Sequence, residues 1–518
     1  MISLDELRNK WFLNFDSPES SFPPVKRHKG SQIKKYTDNN LVTPLIDGQS
    51  YMKEWHDSIR SMIGQKCEVY HAGWRFEGVR TLGYSQENSD ALQTLVDAVR
   101  KGVNLRILLC NNQLSRGLNW DSGLWLRKND ISSSFDTRFP TFGSNHHKFT
   151  VFKTPTDAKA ILGIDISKTR WDTRNHLQND PERDPSFGKP THDIGVLVRG
   201  PAVTDIELSF RERWNDSSRQ YGLFNYRIYA SLFGGARIPY ETPSKIETPV
   251  SLPDGIGSHS VQVLHTYGCM SHGYSWSSEG EFTIWSSYLN AIKNAKKYIY
   301  IEDQYLLTFG YPSYSFSDEA RARESDLIWQ LGMAALERNV KIVVLVPNVS
   351  EDALRGNQEF QRVYGLWIMR EIAGPEADII IATLHNGSSS IYVHSKLMIC
   401  DDEFVLIGSA NFCQRSMTHD GELHIGVVDE KNNFARQLRI ALWQEHMGLS
   451  SVELPLLEDI DSAYAFFKDF AEKGENAAVS ENRLRRYEAQ CKVAAPDHRA
   501  VISCIDPYAG PPRFLGAE

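Results

Sequence analysis

Two short runs hold residues able to act on a phosphate. One is Tyr392-Val393-His394-Ser395-Lys396-Leu397-Met398-Ile399-Cys400-Asp401, followed by Gly408-Ser409-Ala410-Asn411. The other is Asn145-His146-His147-Lys148, followed by Leu162-Gly163-Ile164-Asp165. A histidine and a lysine two apart in an apolar, β-branched run face the same side of a strand, so an imidazole and an ammonium look into one pocket. Gly408-Ser409 lets the backbone approach whatever that pocket holds, and Gly163 belongs to the corresponding turn of the other run.

Cleaving a phosphodiester without a metal requires a nucleophile, a proton donor for the leaving alkoxide, and positive charge on the non-bridging oxygens. Two histidines and two lysines supply these. A neutral imidazole can attack phosphorus while a protonated one donates, provided their environments push the two apart. A carboxylate on each ring fixes its tautomer and stabilises its cation, and Asp193 and Glu422 are placed for that.

The elements that must carry these residues occur twice. Helical spacing over 51–63, a strand over 67–74, a helix over 90–99 and a buried strand over 103–110 lead to the first His-x-Lys. A helix over 282–295, a strand over 298–305, a helix over 325–336 and a strand over 340–348 lead to the second. The unit spans roughly 240 residues, too long for a solenoid period, so two similar α/β halves are expected. Each half then offers its carboxylate before a further strand, Asp193 in the first and Glu422 in the second, and closes with an amphipathic helix. The expected organisation is a polar, solvated N-terminal arm over 1–40, whose basic residues, Arg27 among them, offer a contact to anionic lipid headgroups as the alternative, then a first half over 41–227 and a connector over 228–260. A second half over 261–450 and an appendage and tail over 451–518 follow, with helices at 463–473 and 481–493.

The run His-x-Lys-x4-Asp with Gly-Ser-x-Asn resembles the signature of the phospholipase D superfamily. Arg170-Trp171-Asp172-Thr173 with His176, Thr191-His192-Asp193, Tyr300-Ile301-Glu302-Asp303-Gln304-Tyr305 and Arg415-Ser416-Met417 are similar to phospholipase D proper of eukaryotic type. The resemblance covers about residues 41–450. It implies two mixed sheets flanked by helices about a pseudo-twofold axis; with only residues 1–40 ahead of the catalytic region, the lipid-binding regulatory modules that precede it in many such enzymes are not expected. It also implies a two-step reaction through a phosphohistidine. Carried over, His146 attacks, His394 protonates the leaving alcohol and activates water, Lys148 and Lys396 hold the phosphate, Asp165 and Asn411 line the pocket, and Asp193 and Glu422 orient the histidines. Asp401, Gly408, Ser409 and Gly163 support the motifs. Lys153 stands where the first motif wants aspartate, and Leu162 where the second half has Gly408, which puts the local turn in question.

The activity implied is hydrolysis of glycerophospholipids such as phosphatidylcholine to phosphatidic acid and a headgroup alcohol, with transphosphatidylation when an alcohol replaces water. A nuclease or phosphatidyl transferase of the same superfamily and a catalytically impaired lipid-binding protein are the alternatives. The net charge of −8 and pI near 6.1 argue against nucleic acid as partner. No run of about 18 apolar residues is present to span a bilayer. The first residues lack the basic and then apolar regions of a signal peptide. Seven scattered cysteines show no zinc spacing and read as reduced thiols. Asp401-Asp402 and Glu302-Asp303 read as turn or solvated carboxylates rather than a metal site. The expectation is therefore a cytoplasmic monomer acting at a membrane surface, with no metal and no cofactor. His147, His192 and His424 are expected outside the reacting group, and Asp172 and His176 to support it or bind the headgroup.

Overall fold

The computed structural model describes residues 3–16, 23–112, 116–139, 143–216, 232, 244–246, 255–268, 274–307, 323–348, 355–429, 433–474 and 483–487. The first half builds one mixed sheet from β1 (Thr37–Ile46), β2 (Glu68–Gly73), β3 (Asn104–Cys110), β4 (Ser132–Asp136), β5 (Phe149–Lys153), β6 (Ala158–Leu162) and β8 (Ile194–Arg199), with the short β7 (Thr191–His192) ahead of β8. Its order is β4-β3-β2-β5-β6-β8-β1, parallel from β4 to β2 and antiparallel thereafter.

The second half repeats this arrangement. Its strands are β9 (His259–Tyr267), β10 (Glu281–Phe282), β11 (Tyr298–Asp303), β12 (Lys341–Leu345), β13 (Ile379–Asn386), β14 (Ser389–Val393), β15 (Lys396–Cys400), β16 (Phe404–Gly408), β17 (Glu422–Asp429) and β18 (Leu484–Arg486). The order β13-β12-β11-β15-β16-β17-β9 is again parallel over three strands and antiparallel over four. β1 also pairs with β9, at Thr37↔Val261 and Asn40↔His259, joining the sheets edge to edge. The two α/β halves expected from the repeat are thus present, down to strand order.

Strands such as β3 and β12 read as near-continuous apolar runs because both of their faces are covered. One core lies between the sheets and takes Tyr70 and Phe149 from the first, Tyr300 and Ile399 from the second, and Phe210 and Trp443 from the helices Ala202–Asp216 and Phe434–Met447. A second core packs the helices Asp47–Met62 and Ala91–Arg100 on the first sheet, and a third packs Thr283–Asn294 and Leu327–Arg338 on the second.

Two expectations are corrected. Residues 1–40 are not a solvated arm. Leu4–Trp11 is a helix with a Ser3/Glu6 capping box, and Leu7 and Trp11, on one face at i and i+4, are fully buried against the second half. The Trp11 ring stacks on Phe404 at 5.4 Å, and its indole N–H donates to Glu403 over 3.1 Å. Arg27, one of the basic residues that a lipid contact would use, pairs instead with Glu281 at 3.0 Å. In the appendage the helix Ile460–Lys473 is present, but 484–486 is strand β18 on the edge of β13 rather than helix; the rest of the helix expected over 481–493 lies outside the described residues, apart from 483 and 487. Most of the connector over 228–260 also lies outside them, and β9 already begins at His259.

Candidate active site

Both His-x-Lys pairs sit at strand entrances rather than within strands. β5 starts at Phe149, one residue after Lys148, and β15 starts at Lys396, so His146 and His394 precede the ladders. The run 392–400 is continuous in hydrophobicity, yet its pairing changes partner. Up to Val393 it pairs with the other half, through β14 and β7 (Tyr392↔Thr191, Val393↔His192), and from Lys396 it pairs within its own sheet. The first motif does the same, by the parallel bridge Asn145↔Gly421. His394 N–H donates to His192 C=O over 2.8 Å, and His146 N–H to Gly421 C=O over 2.7 Å.

These crossings bring each histidine to the carboxylate of the opposite half. His394 Nδ1 lies 2.7 Å from Asp193 Oδ2. His146 Nδ1 lies 3.0 and 3.2 Å from the two Glu422 oxygens and 3.0 Å from the Ser409 carbonyl. The ring proton is thereby placed on Nδ1, and Nε2 is left as the basic atom of each ring. Glu422 is itself held by the Ser409 and Ser416 hydroxyls, which donate over 2.6 and 2.7 Å. Ser416 was not singled out from sequence, although it lies in the Arg415-Ser416-Met417 stretch.

The lysines are buried beside the rings. Lys148 Nζ donates to His146 C=O over 2.9 Å and lies 3.5 Å from Asp165 Oδ2. Lys396 Nζ contacts His394 C=O, lies 3.3 Å from His394 Nε2 and 3.5 Å from Gln304 Oε1. Asn411 is buried with its Oδ1 unpaired among the described residues. Trp74 at the end of β2, missed as a site residue, packs edge-on to His146 at 5.8 Å, and its face lies 5.9 Å from Lys148 Nζ. Gly163 has φ +122°, and a Cβ there would come within 2.7 Å of Ile194 O; at Gly408 a Cβ would come within 2.2 Å of Leu423 O. Leu162, the counterpart of Gly408, is buried core of β6.

Burial and the crowd of cations shape the electrostatics. Desolvation, then Lys148 and Lys396, push His146 well below its ordinary pKa. Desolvation, then Arg170 and Lys396, do the same to His394. Burial lowers Lys396 to about 7 and raises Glu422 to about 7. Burial opposes ionisation of Asp165, yet Lys148 beside it holds its carboxyl below the usual range.

The remaining motif residues lie outside the pocket. Asp401 accepts the backbone N–H groups of Lys296, Lys297 and Tyr298 over 2.8–3.1 Å at the far end of β15. In the first half Lys153 pairs with Glu68 at 3.0 Å across β5 and β2, so its substitution for aspartate exchanges one strand-end contact for another. Asp157, the next carboxylate after Lys153, pairs with Arg199 at 2.9 Å instead of filling the place of the motif aspartate. His147 packs on Tyr267, and His424 accepts the Ala410 N–H over 3.2 Å and braces the 408–411 turn. His192, Asp172 and His176 belong to a buried cluster behind Asp193 rather than to the pocket. Of the aromatic residues in the loops around the two motifs, Phe135 is core, Trp120 and Trp125 pack against that core, and Phe142, Tyr311, Tyr314 and Phe316 lie outside the described residues.

The Phospholipase D family model matches residues 161–344 and 370–469, more than half of the chain. The chain belongs to the phospholipase D family. It is 24% identical to phospholipase D alpha 1 of Vigna unguiculata, over 86% of this chain and 71% of that one. It is likewise 24% identical to phospholipase D gamma 3 of Arabidopsis thaliana, over 93% of this chain and 70% of the relative. Among solved structures, phosphatidylserine synthase of Haemophilus influenzae Rd KW20 aligns with a TM-score of 0.49 and 13% identity, covering 85% of this chain and 95% of that one. No described helix is long and apolar enough to cross a membrane.

Proposed function

We propose that this chain hydrolyses glycerophospholipids such as phosphatidylcholine to phosphatidic acid and a free headgroup alcohol. His146 Nε2 attacks phosphorus, forming an N–P bond as the P–O bond to the headgroup breaks. His394 gives its proton to the departing alkoxide. It then takes a proton from water, which attacks phosphorus, breaks the N–P bond and releases phosphatidic acid. An alcohol in place of water yields the transphosphatidylation product. Lys148 and Lys396 hold the non-bridging oxygens throughout, with Asp165 and Asn411 lining the pocket, and the bound phosphate favours the protonated form of His394 that the first step needs.

The observation that carries this reading is the crossed orientation of the two rings, each with Nδ1 on the other half's carboxylate and a lysine beside it. Assignment of attack to His146 rests on access as well. Its side chain is 12% exposed against 3% for His394, as suits the ring that must meet an incoming lipid phosphate. The protein works as a monomer at the cytoplasmic surface of a phospholipid membrane, since one chain carries both halves of the site.

The test is incubation with phosphatidylcholine vesicles and dilute ethanol in EDTA, following choline and phosphatidylethanol, beside a His146→Asn variant. Phosphatidylethanol from the wild type alone is expected, together with an acid-labile phosphoryl adduct on His146. Turnover by His146→Asn, or none by the wild type on any of several phospholipids, overturns the reading.

A further inference from the structure

Behind Asp193, four buried side chains from four separate segments converge. Asp47 opens the helix Asp47–Met62, His176 lies in the loop after Trp171, His192 is in β7, and Glu445 is on the helix Phe434–Met447. His192 Nδ1 is 3.0 Å from Asp47 Oδ1 and 3.3 Å from Glu445 Oε1, and His176 Nε2 is 3.6 and 3.5 Å from the same two oxygens. Ligands about 2.0–2.1 Å from a tetrahedral zinc ion stand about 3.3–3.4 Å from one another. The four measured separations bracket that edge length.

The far side of each imidazole is organised in the same way. His192 Nε2 lies 3.0 Å from Glu302 Oε2, and His176 Nδ1 lies 3.0 Å from Asp172 Oδ2. Both carboxylates are held in turn: Asp172 by Arg183 at 2.5 Å and the Thr191 N–H at 2.8 Å, Glu302 by His446 at 2.9 Å and the Tyr300 hydroxyl at 2.6 Å. A carboxylate on the outer nitrogen is what turns an imidazole lone pair toward a metal. Hydrogen bonding alone leaves this cluster incomplete. Two of the four ligand atoms, His176 Nε2 and Glu445 Oε1, are buried with no hydrogen-bond partner among the described residues and only ion-pair contacts at 3.3–3.6 Å, on side chains at most 3% exposed. Asp47 and His176 also hold left-handed backbone, at φ +64° and +47°, a cost the cluster must offset.

We infer that Asp47, His176, His192 and Glu445 bind one divalent ion of the zinc class in a closed, structural site. Two carboxylates balance its charge, two imidazoles complete a tetrahedron, and no position stays open for water or substrate. The ion departs from the expectation of a chain with no metal, but it takes no part in the reaction; its work is mechanical. It ties the helix start of the first half to a helix of the second, one residue from Asp193, whose carbonyl accepts the Asp47 N–H over 2.8 Å. His192, expected from sequence to be a bystander, becomes a ligand.

The full chain, incubated with excess zinc and desalted, should carry about one zinc per molecule by mass spectrometry. Its cobalt form should show the intense visible bands of a tetrahedral N/O site. Asp172→Asn, which leaves every ligand in place, should weaken metal affinity about 10- to 100-fold. His176→Gln and Glu445→Gln should lose the metal, and zinc should raise the thermal midpoint of the wild type but not of these two variants. Wild-type protein that retains no zinc and gives no tetrahedral cobalt spectrum overturns the site and leaves an imidazolium–carboxylate network. One zinc retained equally by His176→Gln and Glu445→Gln overturns it as well.

Discussion

Glu422→Gln tests the crossed orientation at the ring proposed to attack. The carboxylate lies 3.0 and 3.2 Å from His146 Nδ1, and that ring gains positive charge as its Nε2 bonds to phosphorus. An amide keeps the shape but gives up the charge, and its NH2 must donate to one of the two hydroxyls that donate to the carboxylate. A hydrogen bond to a charged partner contributes about 1.5–3 kcal/mol, so kcat should fall about 10- to 150-fold with KM little changed, because Glu422 does not reach the substrate. Stability should move the other way. Burial raises this carboxyl to about 7 from an ordinary 4.5, so the folded state holds the proton more tightly than the unfolded chain. That contribution is neutral below about pH 4.5, turns unfavourable as pH rises toward 7, and reaches at most about 3 kcal/mol above it. Glutamine removes the charge, and the variant should melt higher than wild type at pH 8. Its kcat/KM should also lose the acidic limb that protonation of Glu422 imposes on the wild type as pH drops through about 7. Wild-type kcat in Glu422→Gln across pH 6–8, or a lower melting point at pH 8, refutes the assigned role.

Three further outcomes follow. Lys396, lowered to about 7 by burial, loses its charge as pH rises, so kcat/KM should show an alkaline limb that Lys396→Arg moves beyond the measured range, read from pH–rate profiles. Asp401→Ala frees three backbone N–H groups and should cost about 2–3 kcal/mol in urea unfolding, while Lys153→Ala at the partly exposed pair with Glu68 costs under about 1 kcal/mol, both with unchanged activity per folded molecule. Trp11→Ala should destabilise by about 3–5 kcal/mol in the same assay, since the indole is fully buried on Phe404; a near-neutral result would restore the solvated-arm description.

What was legible in the sequence is what local periodicity encodes. β3, β12 and the helices before them were readable because a strand covered on both faces and a helix covered on one each have their own spacing. The pocket residues were readable because two copies of one spacing support each other. The exit of His146 and His394 from the ladder was not, because the run Tyr392–Cys400 is apolar throughout and the exchange of pairing partner is decided by the other half. β18 was read as helix for the same reason: a three-residue edge strand is dictated by the open side of β13. The N-terminal helix is a different case. Ser3 and Glu6 spell a capping box ahead of Leu7 and Trp11, a local signal for a helix start that needs no tertiary context. The cluster around His192 had no such signal, since Asp47, His176 and Glu445 come from segments up to several hundred residues apart.

The crossing also explains why two halves of one strand order need not do one job. Each motif segment pairs with the carboxylate segment of the other half, so neither half contains an oriented histidine by itself. The support given to the two carboxylates then differs. Glu422 sits between two hydroxyls, with Ser409 C=O sharing the same ring nitrogen, next to the more accessible histidine. Asp193 accepts the Ile194 N–H over 2.9 Å and is backed by the charged cluster of His192, Asp47 and Glu445, next to the enclosed histidine. A ring that must reach a lipid phosphate and bond to it benefits from access and a carboxylate tuned near neutrality. A ring that must shuttle one proton benefits from enclosure and a rigid partner, which a tied interface provides. Symmetric strands with asymmetric backing are therefore a physical route from a duplicated fold to the distinct nucleophile and acid–base roles proposed for His146 and His394.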